Sequence, residues 1–265
     1  MGITGMHRPL PLAQDVVYGP IRSRRLGVSL GINLLPRTHK VCSFDCIYCH
    51  YGRTDVKTMS SCASDFPTMH DVLSKLERAL LDARERAIAL DSLTFSGNGE
   101  PTLHPYFREI AFEVRRLRDR LCPAAKVSLF SNATTLTRPE IREALPQIDS
   151  PILKLDAGDP ETFALVNRPD LRVNYGEVIA TLKHVPNLVV QTVLVDGEVT
   201  NASDRAFRAW IERIAEIQPV SVQLYSTDYP VPDIGVQRVP AYRLRRLAEE
   251  ATQRSGVPVR AYTVE

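Results

Sequence analysis

Six short apolar runs, at residues 27–35, 92–96, 127–131, 151–156, 188–195 and 220–225, alternate along the chain with stretches of helical periodicity. Runs this short and this continuously apolar are strands covered on both faces, and strands separated by helices pair in parallel. Residues 65–89 repeat Met69, Val72, Leu73, Leu76, Leu80 and Ala83 on one helical face, with Thr68 placed to cap the first turn and Asp71 inside it. Pro105 opens the next helix, whose inner face is Phe107, Ile110, Ala111, Val114, Leu117 and Leu121. Further helices are predicted over 138–145, 175–184, 203–217 and 241–254, and a terminal strand over 257–263.

The pattern predicts an α/β fold: a parallel sheet clad in helices, either open and doubly wound or closed as a barrel or partial barrel. In each case chemistry sits where strands end and loops begin. The unusual residues gather there. A cysteine loop follows the first strand, Gly97-Asn98-Gly99-Glu100 the second, and Ser131-Asn132 ends the third. Lys154-Leu155-Asp156 ends the fourth, Asp196-Gly197 closes the fifth and Ser226-Thr227-Asp228 the sixth. We read 1–265 as one domain, with an N-terminal extension over 1–25, a barrel core over 26–228 and a cap helix and strand over 229–265.

Lys+Arg total 33 against 31 Asp+Glu, a formal charge of +2, which gives no electrostatic case for nucleic acid or an acidic membrane. RNA stays open only through a local patch. No run approaches the roughly 18 apolar residues of a membrane span, and residues 1–12 hold no apolar signal core. The expected location is the cytoplasm, where cysteines are reduced or metal-bound. Only six of the 33 basic residues are lysine, so each lysine calls for a reason.

Residues 41–51 read VCSFDCIYCHY, with Cys42, Cys46 and Cys49 spaced C-x3-C-x2-C. Three thiolates within eight residues can wrap one metal centre and leave a coordination position open, whereas a closed structural site wants four ligands. The residues alone leave several readings. One is a four-iron cluster with one iron free of protein ligands. Another is zinc completed by His50 or a distant histidine. A third is haem attached through Cys46-Ile47-Tyr48-Cys49-His50, which normally follows export. The last is buried or exposed cysteines with no role.

The cysteine spacing, with aromatic Tyr48 before the last cysteine, resembles the radical SAM superfamily, over roughly residues 18–228. The resemblance implies a partial (β/α)6 TIM-like barrel and a [4Fe–4S] cluster on Cys42, Cys46 and Cys49. It also implies S-adenosylmethionine (SAM) chelating the open iron through its amino and carboxylate groups, with Tyr48 beside it. Gly97, Asn98, Gly99 and Glu100 resemble the family segment that meets the methionyl ammonium. Ser131 and Asn132 resemble the strand end near the ribose. Lys154 and Asp156 resemble the pair that meets the SAM carboxylate and ribose. Elementary chemistry agrees: a carboxylate accepts from an ammonium, a lysine neutralises a carboxylate, and alternate strand positions share a face. The same residues also suit plainer roles, a strand–helix turn and an inward charge pair. The implied reaction is electron transfer from the cluster into SAM, giving a 5′-deoxyadenosyl radical that takes hydrogen from a substrate. The implied partner is an electron donor such as flavodoxin or ferredoxin.

Residues 19–27, 96–105, 154–163 and 191–197 resemble, within the superfamily, a group named by analogy to the wyosine tRNA synthases. True wyosine synthases carry a second cysteine set. Here only Cys62 and Cys122 remain, so the chain departs from that pattern. The substrate candidates are Arg22, Arg24 and Arg25, suited to a phosphate or carboxylate or else to a solvated hairpin, together with Gln191. Arg168 and Asp196 are weaker pocket candidates, while His104 and Trp210 suit core roles. The expected activity is SAM-dependent radical chemistry on a small molecule, nucleoside or peptide. RNA-base modification, activation of a glycyl-radical protein and a non-catalytic zinc-binding module are the alternatives.

Overall fold

The computed structural model describes residues 10–60, 65–228 and 231–263; Cys62 lies outside them. One eight-stranded sheet runs, in order, β1 Val17–Ser23, β2 Gly27–Ile32, β3 Ser92–Phe95, β4 Lys126–Ser131, β5 Ser150–Lys154, β6 Val189–Val193, β7 Ser221–Tyr225 and β8 Val259–Tyr262. β1 is antiparallel to β2, and every later neighbour is parallel. The helices are α1 Met69–Glu85, α2 Phe107–Leu121, α3 Pro139–Ala144, α4 Pro160–Asn167, α5 Tyr175–Leu182, α6 Asp204–Ile217 and α7 Ala241–Ser255.

β1 and β8 do not pair, so the sheet is a curled half-barrel, the partial barrel that was expected. Two contacts record the curl. Arg24, after β1, donates to Asp228, after β7, at 2.5 Å. Arg25 beside it lies over the ring of Tyr225 on β7, 4.6 Å from the centroid.

Strand alternation divides the sheet. Leu30, Ile32, Leu93, Phe95, Val127, Leu129, Leu153, Val190, Val222 and Leu224 enter the core beneath the helices. The concave side instead carries Ser29, Ser92, Thr94 and Ser128, linked hydroxyl to hydroxyl at 2.8–3.0 Å. The buried strands are thus apolar toward the helices and polar within.

α1 starts where its signals predict: Thr68 accepts from the Asp71 amide at 3.1 Å, and Val72, Leu76, Leu80 and Ala83 are buried. α2 starts at Phe107 rather than Pro105, because a 3-10 turn over Pro101–Leu103, capped by Glu100, intervenes. The extension expected over 1–25 contributes β1, an edge strand of the sheet. The segment expected as a cap contributes β8 at the other edge. Among the described residues no helix is long and apolar enough to cross a membrane.

Asp149, just before β5, ties α2 to the sheet. It accepts from the Val127 amide at 2.8 Å, from Arg118 at 2.7 Å and from Arg115 at 2.5 Å. Burial pushes its pKa up, but these donors outweigh burial and hold it below the usual value. A depressed folded pKa gives stability that is present above the unfolded value and lost as pH falls through the folded one. Asp149→Ala is expected to cost about 2 kcal/mol at neutral pH in urea unfolding, and less below the ordinary carboxylate range. An equal cost at all pH values would refute the ion-pair account.

Candidate active site

The cysteine loop lies across the open end of the half-barrel and is fastened on both sides. On one side the Val41 amide donates to Asn98 O and its carbonyl accepts from the Glu100 amide, each at 3.1 Å. Gly99 makes this approach possible: at φ +138°, a Cβ there would stand 1.8 Å from Val41 O. On the other side the Ile47 and Asp45 amides donate to Val166 O and Asn167 O, each at 3.0 Å. Phe44 packs edge-on against Phe163 of α4, centroids 5.3 Å apart. Cys42 and Cys46 are buried and Cys49 half-buried, and all three line one cavity of about 380 Å³.

The sulfur atoms have donors aimed at them. The Phe44 amide and Asn132 Nδ2 reach Cys42 Sγ at 3.4 and 3.6 Å, and Asn167 Nδ2 reaches Cys46 Sγ at 3.4 Å. Burial pushes the Cys42 thiol up to about 12, with Lys40 pulling the other way. Burial likewise pushes Cys46 up to about 11, against Lys154. Metal coordination deprotonates such thiols outright, and the N–H donors and lysines then face sulfur-borne charge. Among the described residues no three Cys, His, Asp or Glu side chains are drawn tightly enough for a single ion. A four-iron cluster places each thiolate on a different iron.

Tyr48, Gly97, Gly99, Glu100, Ser131, Asn132, Lys154 and Gln191 all line the same cavity. Glu100 is buried: one oxygen accepts from Thr102 N at 3.1 Å and Thr102 Oγ1 at 2.5 Å, the other from Asn132 N at 2.6 Å. Burial raises its pKa while these donations oppose the rise. Asn132 also donates to Ser43 Oγ at 2.8 Å, joining the end of β4 to the cysteine loop. Lys154 lies 5.1 Å from the Tyr48 ring centroid and 3.8 Å from Asp156. Burial opposes its charge, but Asp156 and other nearby anions hold its pKa above the lysine norm.

Two candidates are placed differently. Asn98 is not on the wall: its Nδ2 donates to Ala13 O and Pro36 O at 3.0 and 2.9 Å, and its Oδ1 accepts from Ala13 N at 2.7 Å. Its side chain fastens the N-terminal segment. Asp156 is fully buried behind the wall. Its Oδ1 accepts from Val193 N at 2.8 Å, and its Oδ2 from the Tyr48 hydroxyl and from Asn167 Nδ2 at 2.7 Å. These contacts tie Asp156 to Tyr48 and Asn167, and Lys154 lies 3.8 Å from the same Oδ2.

The arginines also separate. Arg22 is exposed, Arg24 is engaged by Asp228, and only Arg25 lines the cavity. Arg168 donates to Asp233 at 2.8 Å, and Asp196 accepts from Arg243. His104 Nε2 lies 2.8 Å from Pro67 O, and buried Trp210 donates to Leu155 O at 2.9 Å, both core roles. Sequence reasoning missed Asn167, which bridges Cys46, Tyr48 and Asp156. It also passed over Lys40, whose Nζ donates to Gly52 O at 2.8 Å beside the cysteines. The rarity of lysine was the available signal for Lys40.

Three thiols lie over the mouth of a helix-clad half-barrel with strand ends beneath them, the place where α/β folds of this kind hold their ligands. Residues 37–215 match the Radical SAM superfamily, and the chain belongs to that family. It is therefore an enzyme whose cofactors are a [4Fe–4S] cluster and SAM, and members of the family need an electron donor. It is 35% identical over 154 residues to a UPF0026 protein of Methanocaldococcus jannaschii, covering 58% of this chain and 44% of that one. It is 34% identical over 163 residues to the protein named GTPase Obg of Brachyspira hyodysenteriae, covering 62% and 22%. The chain thus spans less than half the length of either relative. Its fold is similar to that of a radical SAM methyltransferase from Sphaerobacter thermophilus, with TM-score 0.65, 17% identity and coverage of 88% and 65%. It is also similar to TYW1 with a lysine-pyruvate adduct bound, with TM-score 0.60, 15% identity and coverage of 85% and 73%.

Proposed function

We propose that Cys42, Cys46 and Cys49 hold the [4Fe–4S] cluster and that SAM occupies the adjoining cavity. The enzyme then acts on a small molecule, nucleoside or peptide. The observation that carries this reading is that the three thiols share one cavity with Glu100, Ser131, Asn132 and Lys154. When bound, cluster and SAM together supply the one-electron reductive cleavage of SAM that starts radical chemistry. The chain's own residues bind and orient. Glu100 accepts from the ammonium, Lys154 offsets the carboxylate, and Ser131 and Asn132 offer polar contacts to the ribose. Asp156 and Asn167 fix Tyr48 and Lys154, while Asn132, Asn167 and the Phe44 amide hydrogen-bond the thiolates. We place this activity in the cytoplasm, in a single domain over 1–265, with flavodoxin or ferredoxin as electron donor. The formal charge of +2 favours a small substrate over RNA.

The test is spectroscopic. Protein reconstituted without oxygen and reduced with dithionite is expected to show the paramagnetic signal of a reduced [4Fe–4S] cluster, shifted when SAM is added. A signal indifferent to saturating SAM would sink the proposal. Lys154→Ala is expected to keep its iron and bind SAM about tenfold more weakly by calorimetry, the loss of one charge-assisted contact. Unchanged affinity would remove Lys154 from the SAM site.

A further inference from the structure

We propose that Arg25 is the receptor for an oxyanion, a carboxylate or phosphate, on the substrate. The inference rests on reading this cavity as the radical SAM site, and it names the chemical class that the cavity takes.

The tight turn between β1 and β2 carries Arg24 and Arg25, and their side chains part company. Arg24 is engaged by Asp228 at 2.5 Å. Arg25 turns inward and lays its guanidinium over two aromatic rings, 4.6 Å from the centroid of Tyr225 and 5.2 Å from that of Phe130. Both rings line the cavity, as Arg25 does. Rings against its faces hold the guanidinium plane and leave its edge for hydrogen bonding.

That edge is unfilled. Nη1 of Arg25 is buried without a hydrogen-bond partner, and no carboxylate among the described residues pairs with the side chain. Four other partly or fully buried arginines are paired with carboxylates: Arg115, Arg118, Arg168 and Arg243 each meet an aspartate. Arg25 also differs from the other charges of the cavity. Glu100 is occupied by Asn132 and Thr102, Lys154 faces Asp156, and Lys40 donates to Gly52 O. Arg25 is half-buried, with Nη1 buried and unpaired and the side chain bordering the cavity, so an anion there completes a guanidinium that no protein carboxylate among the described residues serves. The edge of a guanidinium matches the paired oxygens of a carboxylate or phosphate.

The surrounding wall suits the organic remainder of such a molecule. Ile21 and Tyr18 line the cavity from β1. Gln191, in register with Lys154 on one side and Gln223 on the other, offers a neutral amide on the same wall. Lys154, already assigned to the SAM carboxylate, leaves Arg25 as the cation for the second ligand. An uncharged substrate would leave it uncompleted.

The experiment is calorimetric titration of acetate and of inorganic phosphate into reconstituted, SAM-loaded protein, with ionic strength held constant by chloride. Wild-type protein, Arg25→Gln and Arg25→Lys are compared. Saturable binding of at least one anion is expected in the wild type, weakened tenfold or more in Arg25→Gln and partly restored in Arg25→Lys. Iron content and SAM affinity are expected to match in all three. Whichever anion responds to the substitution assigns the group as carboxylate or phosphate. Wild-type protein that binds neither anion saturably, or Arg25→Gln that binds as well as wild type, overturns the proposal. Failure of the functional reading is distinguishable: wild-type protein would then not bind SAM, while anion binding still depended on Arg25.

Discussion

Replacement of any one of Cys42, Cys46 or Cys49 by alanine is expected to take iron and sulfide from about four per chain toward zero, and all SAM cleavage with them. The size of the effect follows from the count of ligands. In the proposed assignment each of the three thiolates would serve its own iron, and none would be spare. Cys122 cannot substitute, because it follows the end of α2 and packs against the core beneath the helices, not at the cavity. The loop itself should survive each substitution. Its anchors are backbone bonds from Val41, Asp45 and Ile47 and the Phe44–Phe163 contact, none of which needs the sulfur. The expected result is a folded, iron-free protein, with cooperative unfolding by circular dichroism near that of the cluster-free wild type. A single-alanine variant that keeps four irons and full cleavage would contradict the assignment of the ligands.

Gly99→Ala is expected to have nearly as large an effect from outside the ligand set. A Cβ at this position would lie 1.8 Å from Val41 O and 2.6 Å from Val41 C, on a backbone at φ +138° that side chains rarely adopt. Neither atom is the far end of a flexible chain, so the backbone must move. The displaced segment is the cysteine loop itself, next to Cys42, and the bonds lost run between Val41 and the pair Asn98 and Glu100. Strain together with two lost hydrogen bonds amounts to about 3 kcal/mol. The cluster should fail to assemble although the helices and sheet persist. Gly256→Ala is the control: it ends α7 at φ +73° with nothing within 4 Å of an added Cβ, so it should cost about 1 kcal/mol and leave iron loading intact. Iron loading of Gly99→Ala equal to wild type would show that the loop does not depend on this contact.

The central strands, most helices and the rim of reactive residues were legible because each depends on local pattern: apolar runs, helical periodicity and loops at strand ends. The direction of individual side chains was not. Asn98 and Asp156 stand at the predicted strand ends, yet Asn98 turns to Ala13 and Asp156 is enclosed by Tyr48, Asn167 and Val193. Those partners are remote in sequence, and no local rule selects them. β1 was hidden because Gly19 and Pro20 interrupt its run, which an edge strand tolerates. The pattern RSRR told of an anion-binding turn or a solvated hairpin. The three arginines part company: Arg22 is exposed, Arg24 clamps Asp228 and Arg25 enters the cavity. Asn167 lacked any signal in sequence, because its place among Cys46, Tyr48 and Asp156 exists only once α4 packs beneath the cysteine loop.

In the proposed function this cavity joins a cysteine-bound cluster to SAM for reductive cleavage. Its most direct test is to incubate anaerobically reconstituted protein with SAM and dithionite and to measure 5′-deoxyadenosine and methionine by mass spectrometry. Wild-type protein is expected to yield both products in equal amounts, and Cys42→Ala neither. Protein carrying a full, reducible cluster and bound SAM that yields no 5′-deoxyadenosine would contradict it.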